Sequence, residues 1–331
     1  NFDYSMAEGI GKTFRKQYRA KLREALEDLL DTDDETALVQ AAIEAGKQAT
    51  GDSDVRLETH AATFDDAAAK AIAATGRLDA GKAAHLVAHA RRRATAKTDR
   101  ETYQAMEGFV HNLNTMHSRA GAQTPFSSIN YGTDTSPEGR MAIRNILLAE
   151  DAGLGHGETP IFPIHIFKVK EGVNYNPGDP NYDLFELSCK VSAKRLFPNY
   201  VFLDSPFNLQ YYKPGHPETE VATMGCRTRV MGNVYDPERQ IAYSRGNLSF
   251  TSINLPRLAI ESHGDEALFY KKLDDMLELV AQQLLDRFEI QASKRVYNYP
   301  FLMGQGVWLD SDKLGPNDEV REVLKHGTLS I

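Results

Sequence analysis

From Met116 onward, short runs of β-forming residues alternate with stretches of helical periodicity, and this alternation constrains the fold more than any other feature. Strands joined by a tight turn can run antiparallel, whereas strands separated by a helix need a crossover and pair in parallel. The predicted strands are 125–131, 162–169, 200–203, 240–243, 248–255 and 328–331. Predicted helices span Pro137 to Glu150, Tyr182 to Phe197 and Asp265 to Arg295. The last carries one stripe of Phe269, Leu273, Met276, Leu277, Val280, Leu284 and Phe288. The expected class is α/β, with a largely parallel sheet or barrel.

Before residue 115 the grammar is helical throughout. Ile10, Phe14, Tyr18, Leu22, Leu26 and Leu29 recur every three or four positions. Beside them Lys12, Arg15, Lys16, Arg19, Lys21 and Arg23 make a basic face that turns acidic after Glu24. Further helices are expected at 35–49, 61–75 and 81–115, with Gly51 and Gly76 as breakers. The triplet Arg91-Arg92-Arg93 reads as a solvated face. The expected organisation is a helical region over 1–115 and an α/β region over 116–331.

Composition excludes several classes. The 331 residues carry 38 Lys and Arg against 46 Asp and Glu, a formal charge of −8, with 41% apolar residues. That acidic balance argues against a nucleic-acid binder, and no apolar stretch approaches the ~20 residues of a membrane helix. Two cysteines make no disulfide framework, and the start lacks the features of a secretory signal, so a cytoplasmic location is expected. The first residue is not Met, and Gly327 to Ile331 read as the opening of a buried strand, so the sequence is expected to be a piece of something longer.

The chemistry-bearing candidates are few. Neither a CxxC pair nor an HExxH motif is present, so no metal ligands are expected within this sequence. Gly153-Leu-Gly-His-Gly157 follows a helix and lacks a GK[ST] ending, and reads as a surface loop. Cys189, inside a helix, reads as packing. Cys226 follows Gly225 in a short polar segment, where glycine lets the backbone turn and present the thiol; a buried thiol used for packing is the alternative. Asn, Ser and Thr are threaded through Arg245 to Arg257, and a glycine turn leads from His111 to a Ser/Asn-bearing strand ending at Gly132. Polar groups buried in a sheet must be paired or used; hydrogen-bonded turns and ligand sites both satisfy that rule.

Three of these segments, His117 to Gly132, Met224-Gly-Cys-Arg-Thr228 and Asn247 to Pro256, resemble the anaerobic (class III) ribonucleoside-triphosphate reductases, oxidoreductases of deoxynucleotide synthesis. The likeness begins at Phe2-Asp-Tyr4 and continues past Phe301-Leu-Met-Gly304. It implies a ten-stranded α/β barrel of the glycyl-radical type, whose enclosed loop carries a cysteine oxidised to a thiyl radical. Here that residue is Cys226, which would take the 3′-hydrogen of a ribonucleoside triphosphate before the 2′-hydroxyl leaves as water, with formate as reductant. Asn247 matches an active-site asparagine, and Thr228 a small hydroxyl residue lining the same pocket.

The resemblance also implies a homodimer, an iron–sulfur activase using S-adenosylmethionine, and dNTP or ATP effectors. For an effector's phosphates, Lys12, Arg15, Lys16 and Arg19 share one helical side. The family's glycyl-radical motif, its zinc-binding CxxC pairs, its second active-site cysteine and its ATP-cone are not found, so the expectation is a central segment of about half the catalytic chain, inactive alone. Two other readings compete. A formate-producing acyltransferase would carry adjacent cysteines on the loop, where Cys226 is single. A dNTP-binding regulatory or dimerisation module would rest on the first 115 residues.

Overall fold

The structure is a computed structural model that describes residues 1–30, 35–117, 123–225 and 228–331. It divides into two compact units, Asn1–Asp204 and Ser205–Ile331. Among the described residues no helix is long and apolar enough to cross a membrane.

The first unit opens with helix α1 (Phe2–Leu30), whose Ile10, Phe14, Tyr18, Leu22 and Leu26 are buried as their spacing predicts; Leu29, at the end of the stripe, is exposed. Helices α2 (Glu35–Thr50) and α3 (Ala61–Ala73) pack together so closely that a Cβ on Gly46 would lie 2.5 Å from the Phe64 ring. Helix α4 (Ala80–Thr115) starts where the Asp79 side chain accepts from the Lys82 amide, the expected N-cap arrangement. Its buried side mixes small residues, Ala83, Ala90, Ala94, Thr98 and Thr102, with Leu86, Val87, Met106 and Val110, and α1 packs on this helix.

The arginine triplet on α4 is only partly solvated, which corrects its sequence reading. Arg92 and Arg93 are exposed. Arg91 instead donates to both Asp65 oxygens at 2.5 and 2.8 Å and to the Arg56 and Leu57 carbonyls, with its guanidinium 5.1 Å from the Tyr18 ring centre.

Strands β1 (Ser128–Tyr131), β2 (Ile164–Val169) and β3 (Asn199–Phe202) form a parallel sheet in that order, with Ser128 opposite Ile164 and Ile166 opposite Asn199. The crossovers are α5 (Pro137–Ala152), capped by Ser136 with Pro137 in its first turn, and α6 (Tyr182–Arg195). The central strand β2 is buried at all six positions, as a strand covered on both faces must be. The helical region does not stand apart from this sheet: α1 and α4 both pack on α5, so the change of sequence grammar at 115 falls inside the first unit. Two buried links hold the layers. The Asp3 carboxylate accepts the amides of Gly132, Thr133 and Asp134 at 2.8–3.1 Å, and the Tyr131 hydroxyl lies 3.0 Å from His165 Nδ1. Cys189 is exposed, contrary to the packing expectation, because Leu184, Ser188 and Val191 are the positions of α6 that face inward.

The second unit begins with the short helix α7 (Pro206–Leu209) and the antiparallel pair β4 (Ala222–Met224) and β5 (Thr228–Val230). Strand β6 (Asn247–Phe250) pairs in parallel with the terminal β7 (Thr328–Ser330), and between them lie α8 (Leu255–Glu261), α9 (Glu266–Ala292) and α10 (Arg321–Leu324). Two predicted strands are corrected. Residues 240–243 are irregular because Arg245 Nη1 takes the Ile241 carbonyl and the Ala242 amide goes to Glu218 O, leaving no ladder. The strand expected over 248–255 stops at Phe250, and Asn254 caps α8 by accepting from the Arg257 amide. The core of this unit gathers Ala292, Val296, Met303, Trp308, Val320, Val323 and Leu324. On α9 only Val280, Leu284 and Ala292 are buried, so much of its apolar stripe is half-covered within this chain.

Candidate functional site

The second unit holds the segment around Cys226 and the segment around Asn247. Strand β4 ends at Met224, which pairs with Thr228 at the start of β5, and Gly225 has φ +54°, a conformation that favours glycine. Cys226 and Arg227 lie outside the described residues, as do 118–122 within the His117–Gly132 segment. The hairpin is held from its flank, where Arg229 sits 4.2 Å over the Phe207 ring and donates to Asn208 Oδ1 at 3.1 Å. Thr228 is half-buried.

Asn247 opens β6. Its side-chain Oδ1 is buried and has no hydrogen-bond partner among the described residues. A buried acceptor without a donor costs roughly 1–3 kcal/mol. The preceding residue, Gly246, makes the approach to the hairpin: a Cβ there would lie 3.2 Å from Trp308 Cζ3 and 3.7 Å from Sδ and Cε of Met224. The absence of a side chain at 246 therefore brings the start of β6 against the end of β4. Trp308 is fixed in turn, with Nε1 donating to the Val323 carbonyl at 2.7 Å. The geometry thus places the Asn247 segment beside the stem from which Cys226 follows two residues later.

A polar network gathers around His326, two residues before β7. The Arg239 guanidinium grips Asp310, Lys313 Nζ lies 2.9 Å from the same carboxylate, and His326 Nε2 3.2 Å from it. The Arg239 hydrogen bonds hold the Asp310 carboxyl well below the usual range, and burial pushes His326 down despite the nearby carboxylate. Arg245 Nε donates to the His326 carbonyl at 2.7 Å, and the Thr328 amide to the Gly246 carbonyl at 2.9 Å. Tyr235, Arg239, Asp310, Glu322 and His326 border a cavity of about 470 Å³. Among the described residues no group of three or more His, Cys, Asp or Glu is placed to hold a metal ion.

The four basic residues of α1 share a side in the first unit. Three have carboxylate partners: Lys12 lies 2.7 Å from Glu8, and Arg19 2.8 Å and Arg15 3.9 Å from Asp54. Lys16 is exposed, with no partner among the described residues. The glycine loop 153–157 is bound to Arg195, which donates to the Asp151, Ala152 and Gly157 carbonyls, and it borders a cavity of about 540 Å³ that also has Glu107 in its wall. A carboxylate there opposes phosphate binding.

Sequence reasoning missed Arg245, Gly246 and Trp308. The first two lie at the head of the polar segment it singled out, but their signal is spatial: a guanidinium with no anion, and a close approach that no spacing displays.

Comparison with known proteins bears on the family of the chain. The family model described as "Anaerobic ribonucleoside-triphosphate reductase" matches residues 1–331. Proteins named anaerobic ribonucleoside-triphosphate reductase from Escherichia coli (strain K12), Haemophilus influenzae (strain ATCC 51907 / DSM 11121 / KW20 / Rd) and Enterobacteria phage T4 are 35%, 32% and 31% identical to it. The matches cover 72%, 72% and 74% of this chain, and 32%, 32% and 40% of those relatives. The matched stretches thus span about a third of the length of those relatives. A match over every residue places the chain in the family of anaerobic ribonucleoside-triphosphate reductases.

Proposed function

We propose that this chain is the part of a ribonucleoside-triphosphate reductase that performs hydrogen abstraction, with Cys226 as the reacting thiol, Asn247 against the substrate and Thr228 lining the same pocket. The observation that carries the reading is the buried, unpartnered Oδ1 of Asn247, next to a glycine that abuts the stem before Cys226. An acceptor of that kind suits a ribose hydroxyl, which supplies the missing donor.

A glycyl radical elsewhere in the polypeptide, generated by an iron–sulfur activase with S-adenosylmethionine, would supply the oxidising equivalent. The sulfur radical of Cys226 takes the hydrogen from C3′, forming S–H and leaving the unpaired electron on C3′. The 2′-hydroxyl takes up a proton and leaves as water. Formate becomes carbon dioxide and gives up two electrons and its proton, which form the C2′–H bond in place of the lost C–O bond and leave the unpaired electron on C3′; the Cys226 thiol then returns its hydrogen to C3′ and is left as the sulfur radical. The sum is ribonucleotide, formate and a proton converted to deoxyribonucleotide, water and carbon dioxide. Asn247 orients the ribose hydroxyls through Oδ1, and a closed site protects the radical from solvent. We assign the complete protein a ten-stranded barrel, for which the parallel strand pairs of both units are the support.

The basic side of α1 is our proposed meeting point for an effector dNTP or ATP in a homodimer. Lys16 is unpartnered there, and Arg15 and Arg19 would exchange Asp54 for phosphate oxygens.

The test uses the intact reductase, activated without oxygen and supplied with formate. Cys226→Ala is expected to abolish deoxynucleotide formation while the glycyl radical stays visible by EPR. Asn247→Ala is expected to lower turnover by about 10- to 100-fold, the worth of a hydrogen bond inside a closed site. Undiminished turnover by Cys226→Ala would return that residue to packing.

A further inference from the structure

We propose that Arg245 binds an oxyanion of this site's reactants, a phosphate of the nucleotide or the carboxylate of formate. The inference rests on the reductase reading above and adds a residue to it. Arg245 is 8% exposed, yet no carboxylate lies within ion-pair distance of it among the described residues. Of its five N–H groups, Nε–H goes to the His326 carbonyl at 2.7 Å and one Nη1–H to the Ile241 carbonyl at 2.8 Å. Nη2 has no acceptor among the described residues. Its nearest charged neighbourhood offers nothing, since Asp310 is already taken by Arg239, Lys313 and His326.

Other guanidinium groups of the chain show how it ordinarily settles such a charge. Arg91 has Asp65, and Arg239 has Asp236 and Asp310. Arg195, 7% exposed, also lacks a carboxylate, but all three of its nitrogens donate, and two of its acceptors are the last carbonyls of the sixteen-residue helix α5. The negative end of that helix compensates its charge. Arg245 has neither device, because the helix before His326 has only four residues. Enclosing most of a cation with no anion beside it is costly, and burial lowers the tendency of this one to hold its proton; the unpaired Nη2 is not among the fully buried atoms, so a ligand oxygen can reach it.

The position of the defect gives the ligand its chemistry. Two residues along, Asn247 carries the buried oxygen that lacks a donor. Within three residues the chain presents a cation without an anion and an acceptor without a donor. A ribonucleoside triphosphate supplies both complements, and formate supplies the anion. The remaining edge of a guanidinium suits the two oxygens of either group, in the forked geometry that a lysine cannot reproduce.

The experiment compares wild type, Arg245→Gln and Arg245→Lys in the intact reductase. Calorimetry reads the binding of CTP and of cytidine, and steady-state assays read the formate KM. If phosphate is the ligand, Arg245→Gln weakens CTP by about 10- to 100-fold, the loss of a charged hydrogen bond, while cytidine is unchanged and Arg245→Lys lies between. If formate is the ligand, CTP binding holds and the formate KM rises by a similar factor. If CTP, cytidine and formate are all unmoved, the proposal is overturned and Arg245 is a strut between two carbonyls. Should Arg245→Gln fail to fold, thermal protection of wild type and Arg245→Lys by tripolyphosphate and by formate replaces the calorimetry; equal protection of both proteins overturns it too. Cys226→Ala separates the two readings: an active Cys226→Ala enzyme sinks the radical mechanism, whereas CTP binding and protection by tripolyphosphate or formate read the anion dependence of Arg245 without turnover.

Discussion

A single methyl group at position 246 tests whether the approach of β6 to the hairpin matters. The Cβ of Gly246→Ala would stand 3.2 Å from Trp308 Cζ3, where two carbons prefer about 3.5–4.0 Å, so something must yield by about 0.3–0.8 Å. Met224, at 3.7 Å, is already in ordinary contact. Trp308 is 5% exposed and anchored through Nε1 to Val323 O, so the ring resists. The strand resists as well, since the Gly246 carbonyl holds the Thr328 amide. With the strain shared, stability falls by about 1 kcal/mol, the low end of overpacking costs. Activity responds more. If a misplacement of about 1 Å costs about 100-fold, then about 0.3–0.8 Å taken in proportion on a logarithmic scale costs about 4- to 40-fold. Single-turnover deoxynucleotide formation by the intact enzyme measures the effect, with thermal melting alongside. Gly246→Val should be slower still, and Trp308→Phe, which shortens the ring, should restore part of the rate lost in Gly246→Ala. Rates for Gly246→Ala and Gly246→Val within twofold of wild type would refute the idea that this approach positions Asn247.

The remaining predictions concern the supports of each unit. Arg91→Met strands the Asp65 carboxylate and two backbone carbonyls, and should cost the first unit about 2–4 kcal/mol in denaturant titration, with Arg91→Lys recovering little of it; a loss below about 1 kcal/mol would show the pair to be ordinary surface decoration. Acid should soften the second unit in two stages. Burial lowers the folded His326 and the Arg239 bonds lower the folded Asp310, so the unfolded chain binds more protons and stability falls with pH, first below about 6.5 and again below about 4. His326→Gln should remove the upper stage and Asp310→Asn the lower, and melting profiles with the same pH slope as wild type would contradict both assignments. Lys16→Ala should weaken effector binding by a few-fold in the intact enzyme with catalysis at saturating effector unchanged; binding equal to wild type would remove α1 from the effector site.

Parallel pairing was legible because helices separate the strands, and the α1 stripe because five of its six apolar positions go inward. The errors share a physical origin. Residues 240–243 have β-forming side chains, but Arg245 takes a backbone group that a ladder would need. Asn254 looked like a polar residue in a strand, and its oxygen caps a helix that begins at the next residue, just ahead of Pro256. Arg91 was grouped with its exposed neighbours because Asp65, 26 positions earlier, cannot be paired with it by spacing.

The site divides along the same line. Asn247 was reached through resemblance, which carries a residue without saying what it lacks. Its unsatisfied oxygen, and the missing anion of Arg245, are deficits among the described residues, and a deficit shows only once the neighbouring groups have been placed in space. That is why the two lines of inference are independent. The family match would stand if Asn247 were fully bonded, and the pair of deficits would call for a ligand with hydroxyl donors and negative charge if no relative were known. The family match spans the whole chain and singles out no segment, so the proposal that the chemistry sits at Asn247 rests on the deficits alone, and the Asn247→Ala and Arg245→Gln enzymes are what test it.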